Sequence, residues 1–401
     1  MRRNRRRWPQ WIGLVLSAAS VQSVHADNTA DISAPIIDLR YRYANIENDA
    51  FTRTANANTL RILLGYRWVF ASNWAADIEG SDTVALFGSR YNDTANGKKQ
   101  FPSESDPPSK QVSAAWVGYD DGTIAARLGR QYINLDNQRF FTSGLWRQTP
   151  QSFDALSTSY KIDSSGTTLQ YIYLDKALRS VGHDYPDPLQ REWDLKANLL
   201  HVDQTLPIGK LSAYDYLVEN DTQAKYSWRT AGVRWSGKQA FSDYKLIWAA
   251  EFAQQNSWRN NPLHYTADYH VVEASFGNDA INAKLGDEVL GGNGKVGFSS
   301  PYGSNHGFNG WASEFKNTPA TGLDDRYIGA FGQFTKVFGW SVLWHDFYAE
   351  RGDRHYGSET NAALTYAITK QLGAELDYAD YRSVNYLVSE RKLWLSVEYK
   401  Y

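Results

Sequence analysis

One stretch concentrates the groups best suited to recognising an anion. From Ile124 to Ala155 the chain reads IAARLGRQYINLDNQRFFTSGLWRQTPQSFDA. Arg127, Arg130, Arg139 and Arg147 are spread through it, with Gln131, Asp136, Asn137 and Gln148 between them. Guanidinium is a planar fork that stays charged at any working pH and grips a carboxylate with two parallel hydrogen bonds. Asn and Gln add neutral donors and acceptors for hydroxyl groups. The chemistry expected is the binding or guiding of an anionic solute. The competing reading is that Asp136 and Asp154 neutralise the arginines and tie the segment down.

Catalysis and metal binding find little support. Cysteine is absent, and the eight histidines show no zinc spacing. Ser299, Ser300 and Ser304 stand near His306, but without the G-x-S-x-G elbow of a serine hydrolase. No enzyme, cofactor or resident metal is expected.

The elements that position these groups are strands. Around Ile124–Ile133, Arg127, Gly129 and Gln131 share one face, and Ala126, Leu128 and Arg130 share the other. Leu128 suits an apolar outer surface, so Arg127 is the residue facing inward. Arg130 turns inward only if the strand bulges near Gly129 or has already ended. The same period-2 alternation runs along the chain. Asp38, Arg40 and Arg42 alternate with Leu39, Tyr41 and Tyr43; Arg61 and Arg67 alternate with Leu60, Ile62, Leu64, Tyr66 and Trp68. Further inward polar positions are Asp77, Glu79, Lys196, Asp215, Arg234, Glu251, Glu273, Glu375 and Asp377. Basic positions are denser early in the chain and acidic ones later, which gives opposed charged walls.

These segments number 18, with 16 possible if the faces around Arg326–Ala349 are misread. The last one, RKLWLSVEYKY, alternates and ends the chain on Tyr401. A terminal strand of this form is what the outer-membrane insertion machinery takes up. Short connections such as Phe70–Asn73 and Asp120–Thr123 alternate with long ones at Gly88–Lys110, Asn134–Ser152, Asp175–Glu192 and Gly291–Asp325. Together they predict an all-β fold, a transmembrane antiparallel up-and-down β-barrel with long extracellular loops and an even strand number. The composition agrees. Mean hydropathy is −0.54 although 14% of residues are aromatic, a balance that suits a polar lumen, an alternating outer face and aromatic girdles.

Residues 1–26 read as a secretory signal peptide: five arginines, a short apolar run from Trp11 to Ala19, and a Val24-His25-Ala26 cleavage site. The barrel then occupies 27–401, and its outer face meets lipid of a Gram-negative outer membrane. Loss of the five arginines takes the formal net charge from −2 to about −7, which argues against nucleic acid as a partner.

LGRQ (Leu128–Gln131), LDNQRF (Leu135–Phe140), WRQ (Trp146–Gln148) and FDA (Phe153–Ala155) resemble the alginate-export family of outer-membrane barrels. HGFNGWASEF (His306–Phe315) and TPATGLDDRY (Thr318–Tyr327) are similar to the large loop of that family. The resemblance implies an 18-stranded monomeric barrel. In the namesake exporter an arginine-rich constriction passes the polyuronate alginate outward. It further implies that Arg127, Arg130, Gln131, Asp136, Asn137, Arg139, Arg147 and Gln148 line the constriction. Uptake of small anionic or other solutes, and a structural barrel with an occluded lumen, are the alternatives.

Overall fold

A computed structural model describes residues 32–304 and 306–401. The signal-peptide expectation falls on residues outside that set. Eighteen strands follow one another: β1 Ala34–Asn48, β2 Ala55–Ala71, β3 Trp74–Ala85, β4 Ser109–Asp120, β5 Ile124–Gln131, β6 Ser152–Ile162, β7 Thr167–Leu178, β8 Glu192–Thr205, β9 Lys210–Asn220, β10 Trp228–Phe241, β11 Tyr244–Ser257, β12 Thr266–Gly277, β13 Asn282–Leu290, β14 Leu323–Thr335, β15 Phe338–Tyr348, β16 His355–Ala367, β17 Leu372–Ser383 and β18 Glu390–Lys400. Each pairs antiparallel with its neighbours in sequence, and β18 pairs with β1. Closure leaves no sheet edge unpaired, the condition for crossing a bilayer with strands. The alternative of 16 strands is thereby set aside.

Alternation sorts the two faces. Along β2, Leu64 and Trp68 are exposed while Arg61 is buried. The outer face carries Leu128, Val233, Val272, Leu285 and Ile328, and aromatic contacts such as Trp74 with Tyr119 and Phe334 with Phe338 lie beside the short turns. These are the lipid band and one interfacial girdle. The turns at the end that holds the termini are short; at Asp120–Thr123, Gly122 takes a φ of +87° that L side chains avoid.

The lumen is not an open tube. The loop 132–151, which carries the arginines, and the loop 291–322 both fold inward. Phe140 meets Tyr214, Tyr269 and Phe298, and Phe141 stacks on Tyr302 at 5.4 Å. Trp228, Tyr216 and Phe153 complete an apolar core inside the barrel, against β6 and β8–β12. Fully burying each such aromatic contributes roughly 1.5–3 kcal/mol. This core corrects two sequence expectations. Asp215 and Lys196 stand on the outer face, where they pair with Arg229 and Asp221. Their neighbours Tyr214, Tyr216, Leu195 and Ala197 turn inward, because here the lumen is filled by apolar loop rather than by water.

Candidate functional site

The two inward loops are held by walls of opposite charge. On β1 and β2, Arg40, Arg42 and Arg61 face the lumen and are almost wholly buried. Arg40 donates to the carbonyls of Leu145 (2.8 Å), Trp146 (2.9 Å) and Arg147 (2.6 Å), and through Nε to Gln148 Oε1 (2.9 Å). Arg42 donates to the Trp146 carbonyl at 2.8 Å, and Arg61 to that of Leu145 at 3.3 Å. The wall arginines thus spend their donors on loop backbone that would otherwise be buried without partners.

Carboxylates hold the second loop. Asn309 donates to Glu288 at 2.7 Å and to Asp325 at 3.3 Å, and the Ala312 amide donates to Glu359 at 2.8 Å. Gly310, with φ of +83°, lies where a Cβ would run into the Glu359 carboxylate. Only glycine lets the backbone come this close.

The predicted residues divide between these jobs. Arg127 faces inward on β5, with its guanidinium over the Trp116 ring at 4.0 Å. Arg130 is on the outer face. The pairing of β5 with β4 and β6 runs through Gly129 in unbroken register, despite a φ of +121° there, so parity is kept. Arg130 bonds Asp154 at 2.8 and 3.0 Å on the side of Leu128 and Leu156. It therefore does not line the lumen. Gln131 is buried and donates to the Gly129 and Ala155 carbonyls at 3.2 and 3.0 Å. Asn137 caps a local turn by accepting from the Arg139 amide.

Asp136 accepts from His201 at 2.7 Å and lies 3.6 Å from Lys210. Burial opposes its ionisation, but the His201 imidazole and the Lys210 ammonium outweigh burial and hold the carboxyl below its usual range. Asp136, His201 and Asp203 have donor atoms close enough for a metal. Lys210, 2.7 Å from Asp203, already supplies the counter-charge. Arg139 pairs with Glu288 at 2.9 Å, donates to Asn309, and is almost wholly buried. Gln148 is fully buried between Arg40 and Thr59. Most of the set therefore anchors the loop instead of lining a constriction. Arg147 is different. It bonds Glu104 at 3.1 Å, and its side chain is 28% exposed.

Arg147 opens onto a cavity of about 380 Å³ on the long-loop side. Lys316, Lys392, Trp311 and Tyr386 line it, together with the carboxyls Glu104, Glu314 and Glu390. Burial, the Glu390 carboxyl and a hydrogen bond with it push the Glu314 carboxyl up to about 8, so at neutral pH it is largely protonated. A second cavity, of about 30 Å³, lies towards the short-turn end between Arg40, Glu375, Ser396 and Glu398. Trp146 borders both. Its indole is flanked by the Arg42 guanidinium, 4.1 Å from the ring centroid, and by the His306 imidazole at 3.4 Å and 7°. Two groups so close over one ring occupy opposite faces.

The sequence pointed to the arginine loop and to the inward parity of Arg40, Arg42 and Arg61. It did not single out Glu288 or Glu359, nor the place of Trp146 between the cavities. The signal for the carboxylates was their period-2 position on late strands.

Residues 36–173 match the sequence model of the alginate export family. That stretch holds the arginine loop; the strings of the long loop lie beyond it. No curated protein matches the chain in sequence. Among solved structures, Pseudomonas aeruginosa OpdK with vanillate superposes with a TM-score of 0.72 at 13% identity, covering 92% of this chain and 98% of that one. Acinetobacter baumannii OccAB4 gives 0.70 at 15% identity, covering 94% and 100%. Pseudomonas aeruginosa OpdO gives 0.70 at 16%, covering 92% and 97%. The family matched is one of export, not of catalysis. The protein is an 18-stranded outer-membrane β-barrel that carries the alginate-export sequence pattern over residues 36–173.

Proposed function

We propose that the protein is an outer-membrane channel for anionic, sugar-like solutes, with its narrowest part at Trp146 and Arg147. The observation that carries this reading is the position of Trp146 between the two cavities, with Arg147 next to it and open to the upper one. Lys316 and Lys392 add positive charge to that cavity, while Glu104 and Glu390 set a limit to it. Cations in a low-dielectric wall focus the field and raise the local concentration of anions. Trp146, Trp311 and Tyr386 offer flat faces to the C–H surface of a sugar ring. Transport is passive.

The filled half of the lumen favours solutes of one or two rings. A polyuronate of the alginate type presents the same ring unit by unit, so export of the polymer and uptake of its fragments would use the same groups. β18, with Leu395 and Tyr399 exposed on its outer face, fits recognition by the insertion machinery. A closed sheet fits a monomer in the lipid.

The experiment is planar-bilayer conductance of the refolded protein, with the reversal potential read in a salt gradient and block by sodium oligoglucuronate. Anion-selective current with block is the expected result. Cation-selective current indifferent to the sugar acid would overturn the reading. The aromatic core in the lumen favours a second reading, an occluded structural barrel, which gives no current although the barrel is folded.

A further inference from the structure

The stack on Trp146 is unlike the other contacts that hold the two loops. Arg40 and Arg42 donate to the Trp146 carbonyl, and Arg61 to that of Leu145. His306 is held by ring contacts and the Trp311 backbone rather than by an ion pair: it stacks on the Trp146 indole, lies 5.6 Å from the Trp311 ring and meets Trp394 edge-on at 5.5 Å, while its Nδ1 is shielded from solvent without a hydrogen-bond partner. On either side of it in the chain, Tyr302 is buried against Phe141 and Asn309 is pinned to Glu288. His306 thus lies between Ser304, whose amide donates to the Gln138 carbonyl, and Phe308, which lies against the Arg139 guanidinium, so the loop has anchors on both sides that do not depend on the stack.

We propose that His306 is a resident placeholder in a ring-binding subsite on the face of Trp146, displaced by a carboxylate-bearing pyranose as the solute passes. This rests on the channel reading given above. The chemistry of the vacated face fits such a ring. The indole takes the C–H side of the pyranose by apolar contact and dispersion. Arg147, next in the chain, spends one nitrogen on Glu104 and has others to offer a carboxylate. Lys316 makes no ion pair among the described residues and lines the same cavity.

The charges around the imidazole keep it a flat, neutral ring. Burial pushes its pKa well below the ordinary value, and Arg42 from β1, Arg147 from the arginine loop and Lys392 from β18 add to the effect. The nearby carboxyls have other partners. Glu104 takes Arg147 and the Trp394 indole N–H; Asp106 lies 3.8 Å from Arg42; Glu390 pairs with Lys392. Glu314 of the same loop shares a hydrogen bond with Glu390. None of them is a counter-ion to the imidazole; what opposes the cations there is a backbone hydrogen bond with Trp311, and it is outweighed.

The test is block of single-channel current by sodium glucuronate in the full-length refolded protein, comparing wild type with His306→Ala, His306→Phe and His306→Gln. Removing the competing ring lowers the half-blocking concentration roughly threefold to tenfold in His306→Ala, the worth of one aromatic contact. His306→Gln, which keeps bulk without a ring, moves the same way and covers the case of an alanine variant that does not fold. His306→Phe holds the place and leaves the value equal to or above wild type. Equal block in wild type, His306→Ala and His306→Gln, with all three conducting, overturns the placeholder and leaves the channel. No current in any folded variant overturns the channel reading and the placeholder with it.

Discussion

Arg139 Nε lies 2.9 Å from Glu288 Oε1, and each side chain is only 3% exposed. The same Arg139 donates to Asn309 Oδ1 at 2.7 Å, and Asn309 donates on to Glu288. One buried ion pair thus joins the arginine loop, the long loop and the barrel wall.

Breaking it should loosen both loops. Arg139→Ala leaves Glu288 buried and unpaired, a change that costs about 3–5 kcal/mol, whereas a matched apolar pair is far better tolerated. The cost falls on local opening, because the strands keep their own ladders. Faster amide exchange in 136–143 and 306–313, with β-strand amides unchanged, is the expected outcome. Arg139→Leu combined with Glu288→Leu should restore most of the protection; if it does not, the pair is not what links the loops.

The barrel was legible in the sequence because alternation is local and repeats eighteen times, so a doubtful strand between two clear ones is still forced. The site was legible only in part. Residue type marked Arg130, Arg139 and Arg147 alike, yet they ended on the outer face, in a buried clamp and in the lumen. Parity alone had placed Arg130 outward. Arg40 was rightly placed inward, but its partners are carbonyls up to 107 residues away, which no local pattern reveals. Asp215 was misplaced because a polar residue was expected to seek the lumen, while Tyr214 and Tyr216 had the stronger claim on Phe140.

Arg147 and Arg130 give a paired test of charge selectivity. A unit charge about 4 Å from a passing ion is worth roughly 1–4 kcal/mol between bulk-water screening and an effective dielectric of ~20. Arg147→Ala should therefore cut the anion-to-cation permeability ratio at least about fivefold. Arg130→Ala, which removes a guanidinium bonded to Asp154 outside the lumen, should leave it unchanged. Reversal potentials in a tenfold salt gradient read both. A larger effect from Arg130 than from Arg147 would contradict the placement of these side chains.

Trp146→Ala should raise conductance several-fold. The indole borders both cavities, and its removal joins them. The loop should survive, since Arg40 and Arg42 hold its backbone rather than its side chain. What is lost is the contact of Arg42 with the ring, roughly 0.5–2 kcal/mol, together with the ring contacts to His306 and Trp394. Single-channel current in symmetrical salt is the measurement. An unchanged value would place the narrowest point elsewhere.

Acid should open the passage through His306. With His306 on Trp146 the imidazole has its pKa well below 6.5, because burial and then Arg42, Arg147 and Lys392 disfavour the cation. Released into water, the ring regains an ordinary value near 6.5. The released state therefore binds the proton more readily. Above about pH 6.5 neither state is protonated and the stacked one keeps its full advantage. Below it only the released state gains a proton, so the ratio of stacked to released falls by up to tenfold per pH unit. That fall continues down to the depressed pKa and stops there. Mean conductance should accordingly rise between pH 7 and pH 5 in wild type. In His306→Phe it should stay low across that range, since the ring cannot charge. In His306→Ala it should stay high. Glu314 titrates near 8, through burial and its hydrogen bond with Glu390, and would add its own step above neutrality; Glu314→Gln removes that step without touching the one below 6.5. A wild-type rise that persists in His306→Phe would assign the acid response to another group.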